Sequence, residues 1–206
     1  MISVENHVKI IMTAHIHITG APGSGKTTIA EAISDRWKMA HLDTDDFFWV
    51  PTDPPYQYPR LDQQRQSLLK AELSRYPSWV LCGSLYGWGD IFIPLFDLVV
   101  FIFTPTSIRL ERLRVREKAR FGARIALGGD MYQIHQDFLA MTSPYDEGDA
   151  TIRSRERDEL WMSLLPCPWL YIDGTQPVDM QIKSIESNGV IVQCAKNVGL
   201  YKKDVT

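Results

Sequence analysis

The segment Gly20-Ala21-Pro22-Gly23-Ser24-Gly25-Lys26-Thr27 satisfies the pattern G-x-x-x-x-G-K-[ST] at every fixed position. The apolar run Ala14 to Thr19 precedes it and a helix-like segment follows, which is the setting a phosphate-binding loop requires. In such a loop successive backbone N–H groups converge on the β- and γ-phosphates of a nucleoside triphosphate. Glycines permit the backbone angles this needs, and the helix beginning near Lys26 adds the positive end of its dipole. Lys26 would neutralise phosphate charge, and the Thr27 hydroxyl would ligate Mg²⁺.

Leu42-Asp43-Thr44-Asp45-Asp46-Phe47-Phe48 places three carboxylates at the carboxyl end of a short strand. Phosphoryl transfer depends on positioning and charge stabilisation, so it needs a carboxylate to orient or deprotonate an attacking hydroxyl and often another for Mg²⁺-bound water. Asp43 suits the metal's outer shell, and Asp45 or Asp46 suits the acceptor. The run Trp79-Val80-Leu81-Cys82-Gly83-Ser84 is a third strand that ends in Cys-Gly-Ser. Many phosphate-loop enzymes end a strand there with an Asp. Cys82 offers no hard oxygen, so the metal would rely on Thr27 and Asp43. Gly83 and Ser84 begin the presumed acceptor pocket. After them, Trp88 could stack on a planar substrate or cover sugar carbons, and Asp90 could bind hydroxyls or a cation. Ordinary packing in a tight loop is the competing reading of this stretch.

From Arg109 to Arg124 the chain carries seven basic residues, Arg109, Arg112, Arg114, Arg116, Lys118, Arg120 and Arg124, against Glu111 and Glu117. Arg112, Arg116 and Arg120 recur at four-residue spacing and share one helical face. Such a row can lie over adenine, grip β- and γ-oxygens and stabilise the transferring group. Arg153 and Arg155 could close from the other side. Gly122, Gly128 and Gly129 would let the intervening segment move as a lid that excludes water.

These residues need a scaffold, and the hydrophobic pattern supplies one. Strands are expected at Ala14–Thr19, Met39–Asp43, Trp79–Cys82, Asp97–Phe103 and Trp169–Ile172. Helices are expected at Lys26–Lys38, Leu61–Tyr76, after Pro105, near 131–142 and 153–164, and beyond Pro177. Pro51 to Pro59 is too broken for regular structure. The alternation implies a parallel sheet flanked by helices, with ligands at the carboxyl ends of the strands. The expected division is an arm at 1–13, one domain at 14–186 and a tail at 187–206 whose only apolar patch is Val190–Val192.

A net charge of −3 on 206 residues argues against a nucleic acid or a membrane as the main partner, since both favour a basic excess. Cys82, Cys167 and Cys194 lie far apart, without the spacing of a zinc site or a disulfide framework. No apolar run approaches a membrane span and no signal-peptide layout is present, so a cytoplasmic protein, monomer or homodimer, is expected.

Taken together, the loop, the acidic strand end, the arginine helix and Asp173-Gly174-Thr175 resemble the nucleoside-monophosphate and shikimate kinase branch of P-loop kinases. The chain is similar to adenylate kinase-like ATPases over residues 14 to 186. The resemblance implies an α/β three-layer sandwich with a five-stranded parallel sheet in the order 2-3-1-4-5, ATP with Mg²⁺, and a helical lid over about 112–155. By that similarity Gly23, Gly25, Lys26, Thr27 and Thr28 bind phosphates and Mg²⁺. Arg112 and Arg116 match the arginines at the start of the lid, and Gly174 and Thr175 border adenine. Leu42 to Asp45 is similar to the D-x-D of shikimate-type kinases, which gives Asp45 the acceptor hydroxyl. Asp46-Phe47-Phe48 resembles the D-D-F of nucleoside kinases, which favours Asp46. Adenylate kinases carry Asp-Gly-Phe-Pro-Arg after the third strand, and this chain does not; Arg60 or Arg75 could replace that arginine. The expectation is an ATP- and Mg²⁺-dependent kinase acting on a hydroxyl of a small-molecule acceptor. A nucleoside or nucleoside-monophosphate kinase and an ATP-binding regulatory protein are the alternatives.

Overall fold

The computed structural model describes residues 14–187. The expected arm, and the expected tail past Ser187 with its apolar patch, lie outside the described residues. Five strands form one parallel sheet: β1 (His15–Thr19), β2 (Ala40–Asp43), β3 (Trp79–Cys82), β4 (Leu98–Phe103) and β5 (Trp169–Asp173). Their order across the sheet is β2-β3-β1-β4-β5, the order that the resemblance implies. Seven α-helices accompany them: α1 (Lys26–Trp37), α2 (Thr44–Phe48), α3 (Asp62–Leu73), α4 (Thr106–Phe121), α5 (Tyr132–Thr142), α6 (Arg155–Ser163) and α7 (Val178–Glu186).

β3 and β4 are near-continuous apolar runs because both sheet faces are covered there, and successive side chains of the central strands alternate between two cores. Ile16, Ile18, Val80, Val100 and Ile102 pack with Ile29, Ile33 and Trp37 of α1 and Ile182 and Ile185 of α7. On the opposite face Trp79, Leu81 and Val99 pack with Leu69 and Leu73 of α3 and with Leu85, Trp88, Phe92 and Phe96. Burying these two sets fixes the register, in which Asp43 lies beside Cys82 and Cys82 beside Ile18. The carboxyl ends of β2, β3 and β1 therefore finish at one level, directly below the loop that begins at Gly20.

Two kinds of element depart from the sequence expectation. The acidic run continues into a helix, α2, because the Asp43 carboxylate accepts the Asp45 N–H at 3.0 Å and caps it. Short 3-10 turns occupy Asp90–Leu95, Gly122–Ile125 and Ser143–Asp146, where the apolar spacing is too short to display a helical period. Pro51 to Pro59 holds no helix or strand.

One polar side chain lies wholly inside the second core. His17 is fully buried, its Nδ1 3.0 Å from the Leu81 carbonyl and its ring stacked 5.1 Å from that of Phe96. Burial, aided by the charge of Lys26, drives its pKa from 6.5 down to about 4 against the opposing effect of the Leu81 contact. Between those values the unfolded chain binds a proton that the folded chain does not, so stability rises with pH through this window. The shift corresponds to roughly 3 kcal/mol in total. Urea denaturation from pH 4 to 7 should show this acid-limb loss in the wild type and a flatter limb in His17→Gln. Parallel profiles for the two proteins would contradict it.

Candidate active site

The loop from Gly20 to Thr27 turns between β1 and α1. Gly20, at φ 138, has no room for a side chain, since a Cβ there would lie 2.4 Å from the Ile102 carbonyl oxygen. Gly25, at φ 106, caps α1 with no side-chain acceptor, which leaves the first turn of the helix open to an anion. Behind the loop, its carbonyls are held. Lys26 Nζ donates to Ala21 O at 2.7 Å, and Thr104 Oγ1 donates to Ser24 O at 3.0 Å. Arg112 reaches Ser24 O at 3.4 Å and Gly174 O at 3.0 Å, so it joins the loop to the turn after β5. Arg109, fully buried, donates to Pro22 O at 3.3 Å and Thr104 O at 2.9 Å.

Lys26 is crowded by protein, and this desolvation, with the nearby charge of Arg153, lowers its pKa to about 8; Asp45 and Asp43 oppose the shift. Asp45 keeps solvent contact yet protein atoms surround it. That crowding and the charge of Asp43 push its carboxyl upward, with Lys26 and Arg153 pulling the other way. Asp46 is raised for the same first two reasons and is opposed by His41 and Arg60. Lys26, Arg153, Asp43 and Asp45 thus share one electrostatic neighbourhood at the carboxyl ends of β1 and β2.

Cys82 occupies the strand end beneath it. Its Sγ lies 3.4 Å from Asp43 Oδ2, 3.9 Å from Thr27 Oγ1 and 3.3 Å from His41 Nε2. Burial raises this thiol well above its usual range, so it stays protonated. Thr27 and Asp43 consequently face each other across a neutral sulfur. Among the described residues no group of three or more His, Cys, Asp or Glu side chains could hold a metal by itself. A Thr hydroxyl with one nearby carboxylate fits Mg²⁺ that arrives with phosphate oxygens and keeps several waters.

Other expected site residues are placed as follows. The backbone of Gly83 passes so close to α2 that a Cβ would lie 1.8 Å from Thr44 Oγ1, and the Ser84 N–H donates to that oxygen at 3.1 Å. Thr28 is exposed on the first turn of α1, and Thr175 Oγ1 donates to Asp173 at 2.6 Å. Arg116 pairs with its neighbour Glu117 at 2.8 Å. Trp88 is buried in the second core, its Nε1 donating to Ser84 O at 3.2 Å, and Asp90 accepts from Trp161 Nε1 at 2.9 Å. Both therefore do the packing work of a tight loop in this structure. Arg155 pairs with Glu159 and covers Phe103. Arg60 caps α2 through the carbonyls of Asp46, Phe47 and Trp49, and Arg75 pairs with Glu72 on the surface.

Sequence reasoning passed over three buried groups near the centre: Arg109, Tyr145 and Asp158. Asp158 accepts a hydrogen bond from Tyr145 and lines a small cavity with Thr19, Ser84, Leu85, Tyr86 and Trp161. A signal for Arg109 did exist. Arg109, Leu113 and Glu117 form the buried row of α4 at four-residue spacing, a different row from that of Arg112, Arg116 and Arg120.

A family model described as an AAA domain matches residues 16–124. An uncharacterised protein of Bacillus subtilis (strain 168), YqaC, is 39% identical over 174 residues, covering 84% of this chain and 96% of that protein. A cytidylate kinase of Archaeoglobus fulgidus is 28% identical over 113 residues, half of this chain and 61% of its own length. Among solved structures, a gluconokinase from Sinorhizobium meliloti 1021 aligns over 91% of this chain and 97% of its own, with 18% identity and a TM-score of 0.49. Among the described residues no helix is long and apolar enough to cross a membrane.

Gly83 and Gly87 separate a backbone requirement from a packing requirement. Both have positive φ, 121 and 78, but nothing lies within 4 Å of a Cβ built on Gly87. Gly87→Ala should cost about 1–2 kcal/mol, the left-handed penalty alone. Gly83→Ala should cost more and weaken any function of Asp45 and Asp46, because Thr44 and the start of α2 must move. Equal losses of stability in urea titrations would refute the close approach.

Proposed function

The chain belongs to the AAA domain family of P-loop proteins, and on that premise we propose that it is a kinase that moves the γ-phosphoryl group of ATP to a hydroxyl of a small metabolite. The observation that carries this reading is the grouping of Asp45 with Lys26 and Arg153 at the mouth of the phosphate loop. Binding of a nucleotide alone needs no carboxylate at that point, whereas an attacking hydroxyl does. Asp45 would accept the hydroxyl proton as the acceptor oxygen bonds to the γ-phosphorus and the bond to the β-bridging oxygen breaks. Its raised pKa makes it a better proton acceptor than an ordinary surface carboxylate. Lys26 and Arg153 would balance the charge on the transferring group, and Arg112 would hold the donor side. Mg²⁺ bound with the nucleotide would supply further charge neutralisation, held by the Thr27 hydroxyl and, through water, by Asp43.

Arg120 donates to the Tyr56 hydroxyl at 2.8 Å, and Arg124 binds Asp53 at 2.7 Å and Asp130 at 2.6 Å. These contacts tie the Pro-rich loop 51–59 to the end of α4 and its following turn, which supports a cover that would exclude water from the reaction.

A nucleotide kinase is the second reading, favoured by the likeness to a cytidylate kinase over half the chain. It requires an arginine for the acceptor's phosphate. Arg65 and Arg157 are suited to that task, since the Nε atom of each is buried without a protein partner and each guanidinium lies over a ring, of Phe48 and Tyr86 respectively. Paired nucleosides and nucleoside monophosphates offered as acceptors distinguish the two readings.

Incubation of the protein with γ-labelled ATP, Mg²⁺ and a small-metabolite extract should yield a labelled low-molecular-weight product. Lys26→Ala should reduce its formation by about 10²-fold or more, as loss of a transition-state charge does. Asp45→Asn should reduce it by roughly 10²- to 10⁴-fold, as loss of a general base does. Both variants should melt as cooperatively as the wild type. Undiminished product with Lys26→Ala would sink the proposal.

A further inference from the structure

Arg109 has no exposed surface, and its guanidinium donates four hydrogen bonds within the protein. Beyond Pro22 O and Thr104 O it reaches Thr106 Oγ1 at 2.7 Å and Asp146 Oδ1 at 3.1 Å. The other oxygen of Asp146 accepts from the Thr106 N–H at 2.8 Å and its hydroxyl at 2.7 Å. The Arg109 guanidinium carbon also lies 5.1 Å from the centre of the Tyr145 ring. Tyr145 is itself buried, and its hydroxyl donates to the buried carboxylate of Asp158.

Asp158 belongs to α6, whose start is also fixed. Ser154 Oγ accepts the Arg157 N–H at 3.1 Å and donates to Asp149 O at 2.6 Å. Arg153 precedes this cap. Its buried Nε has no protein acceptor although Lys26, Asp45 and Asp158 all lie within electrostatic reach. A buried guanidinium N–H without an acceptor is costly unless a ligand supplies one, and phosphate oxygen is the acceptor that a P-loop brings.

We infer that Arg109, Asp146, Tyr145 and Asp158 are positioning residues for the reacting phosphates. They form one chain of contacts, buried except at Asp146, from the Pro22 carbonyl of the phosphate loop to the helix that Arg153 precedes. The chain makes the shape of the loop and the placement of Arg153 a single event, because neither end can shift without leaving a buried charge unpaired. Four elements distant in sequence contribute: the phosphate loop, the start of α4, the 3-10 turn at Ser143–Asp146 and α6. This inference rests on the reading of Arg153 as a phosphate ligand.

A double-mutant cycle on MgATP affinity tests it, with titration calorimetry of the full-length protein and four forms: wild type, Tyr145→Phe, Arg153→Gln and the double variant. Tyr145→Phe keeps the ring under Arg109 and removes only the hydroxyl that holds Asp158. Each single change should raise the Kd by about fivefold, and the double change should raise it by little more than either alone, which is the signature of coupled residues. Asp146→Asn in place of Tyr145→Phe should give the same non-additivity. A purely structural role would lower the melting temperature while leaving the MgATP Kd in place. That result, or single effects that multiply in the double variant, overturns the inference while the proposed kinase stands. Failure of the wild type to bind MgATP contradicts the proposed function itself and removes the basis of the inference with it.

Discussion

The phosphate loop turns several of its carbonyls into the protein, and each buried carbonyl needs a donor there. The Ala21, Pro22 and Ser24 carbonyls find Lys26, Arg109, and Thr104 with Arg112. That requirement organises much of the molecule. It explains a fully buried arginine behind a loop that itself attracts anions, and why α4 begins where it does, with Arg109 and Arg112 one turn apart on the side facing the loop. It also explains why the turn after β5 lies against Ser24: Gly174 leaves the space that any larger residue would fill, since a Cβ there would come 2.8 Å from Ser24 O.

Around Lys26 and the strand ends, charge rather than hydrogen-bond counting governs. Two cations, Lys26 and Arg153, face a cluster of carboxylates within a crowded region where burial weakens every charged form. The balance leaves Lys26 less basic and Asp45 more basic than their exposed counterparts. Such opposed shifts accompany acid and base roles in enzymes, and ion-pair networks also produce them. Cys82 adds a neutral group where many relatives of this fold place an acid. Asp43 caps α2, meets the thiol and faces Thr27, so a single carboxylate serves a helix end and the expected metal neighbourhood at once.

The fold was largely legible because β3 and β4 are buried on both faces and read as apolar runs, while the loop pattern marks the first strand-to-helix turn. The helix α2 was not legible: five residues cannot display a helical period, and its cap, Asp43, reads equally as part of an acidic turn. At the site, the residues held by backbone geometry were visible as a motif, and those held by distant partners were not. Arg109 stood in the basic run, and only its place in the row with Leu113 and Glu117 separates it from Arg116, which pairs with its neighbour. Tyr145 and Asp158 meet from thirteen positions apart, one in a 3-10 turn and the other in α6, and no pattern of spacing records that contact. Trp88 and Asp90 illustrate the reverse case, in which chemically suggestive side chains are taken up by packing and by an indole partner.

The central claim is that this loop, its carboxylates and its arginines form the donor half of a kinase. Release of ADP from MgATP, followed across a panel of hydroxylated small metabolites and nucleotides, tests it most directly. The account predicts that at least one acceptor stimulates ADP release well above the rate with water alone, and that the stimulation disappears in Asp45→Asn. Tight MgATP binding with no stimulation by any acceptor would contradict it and favour a nucleotide-binding regulator.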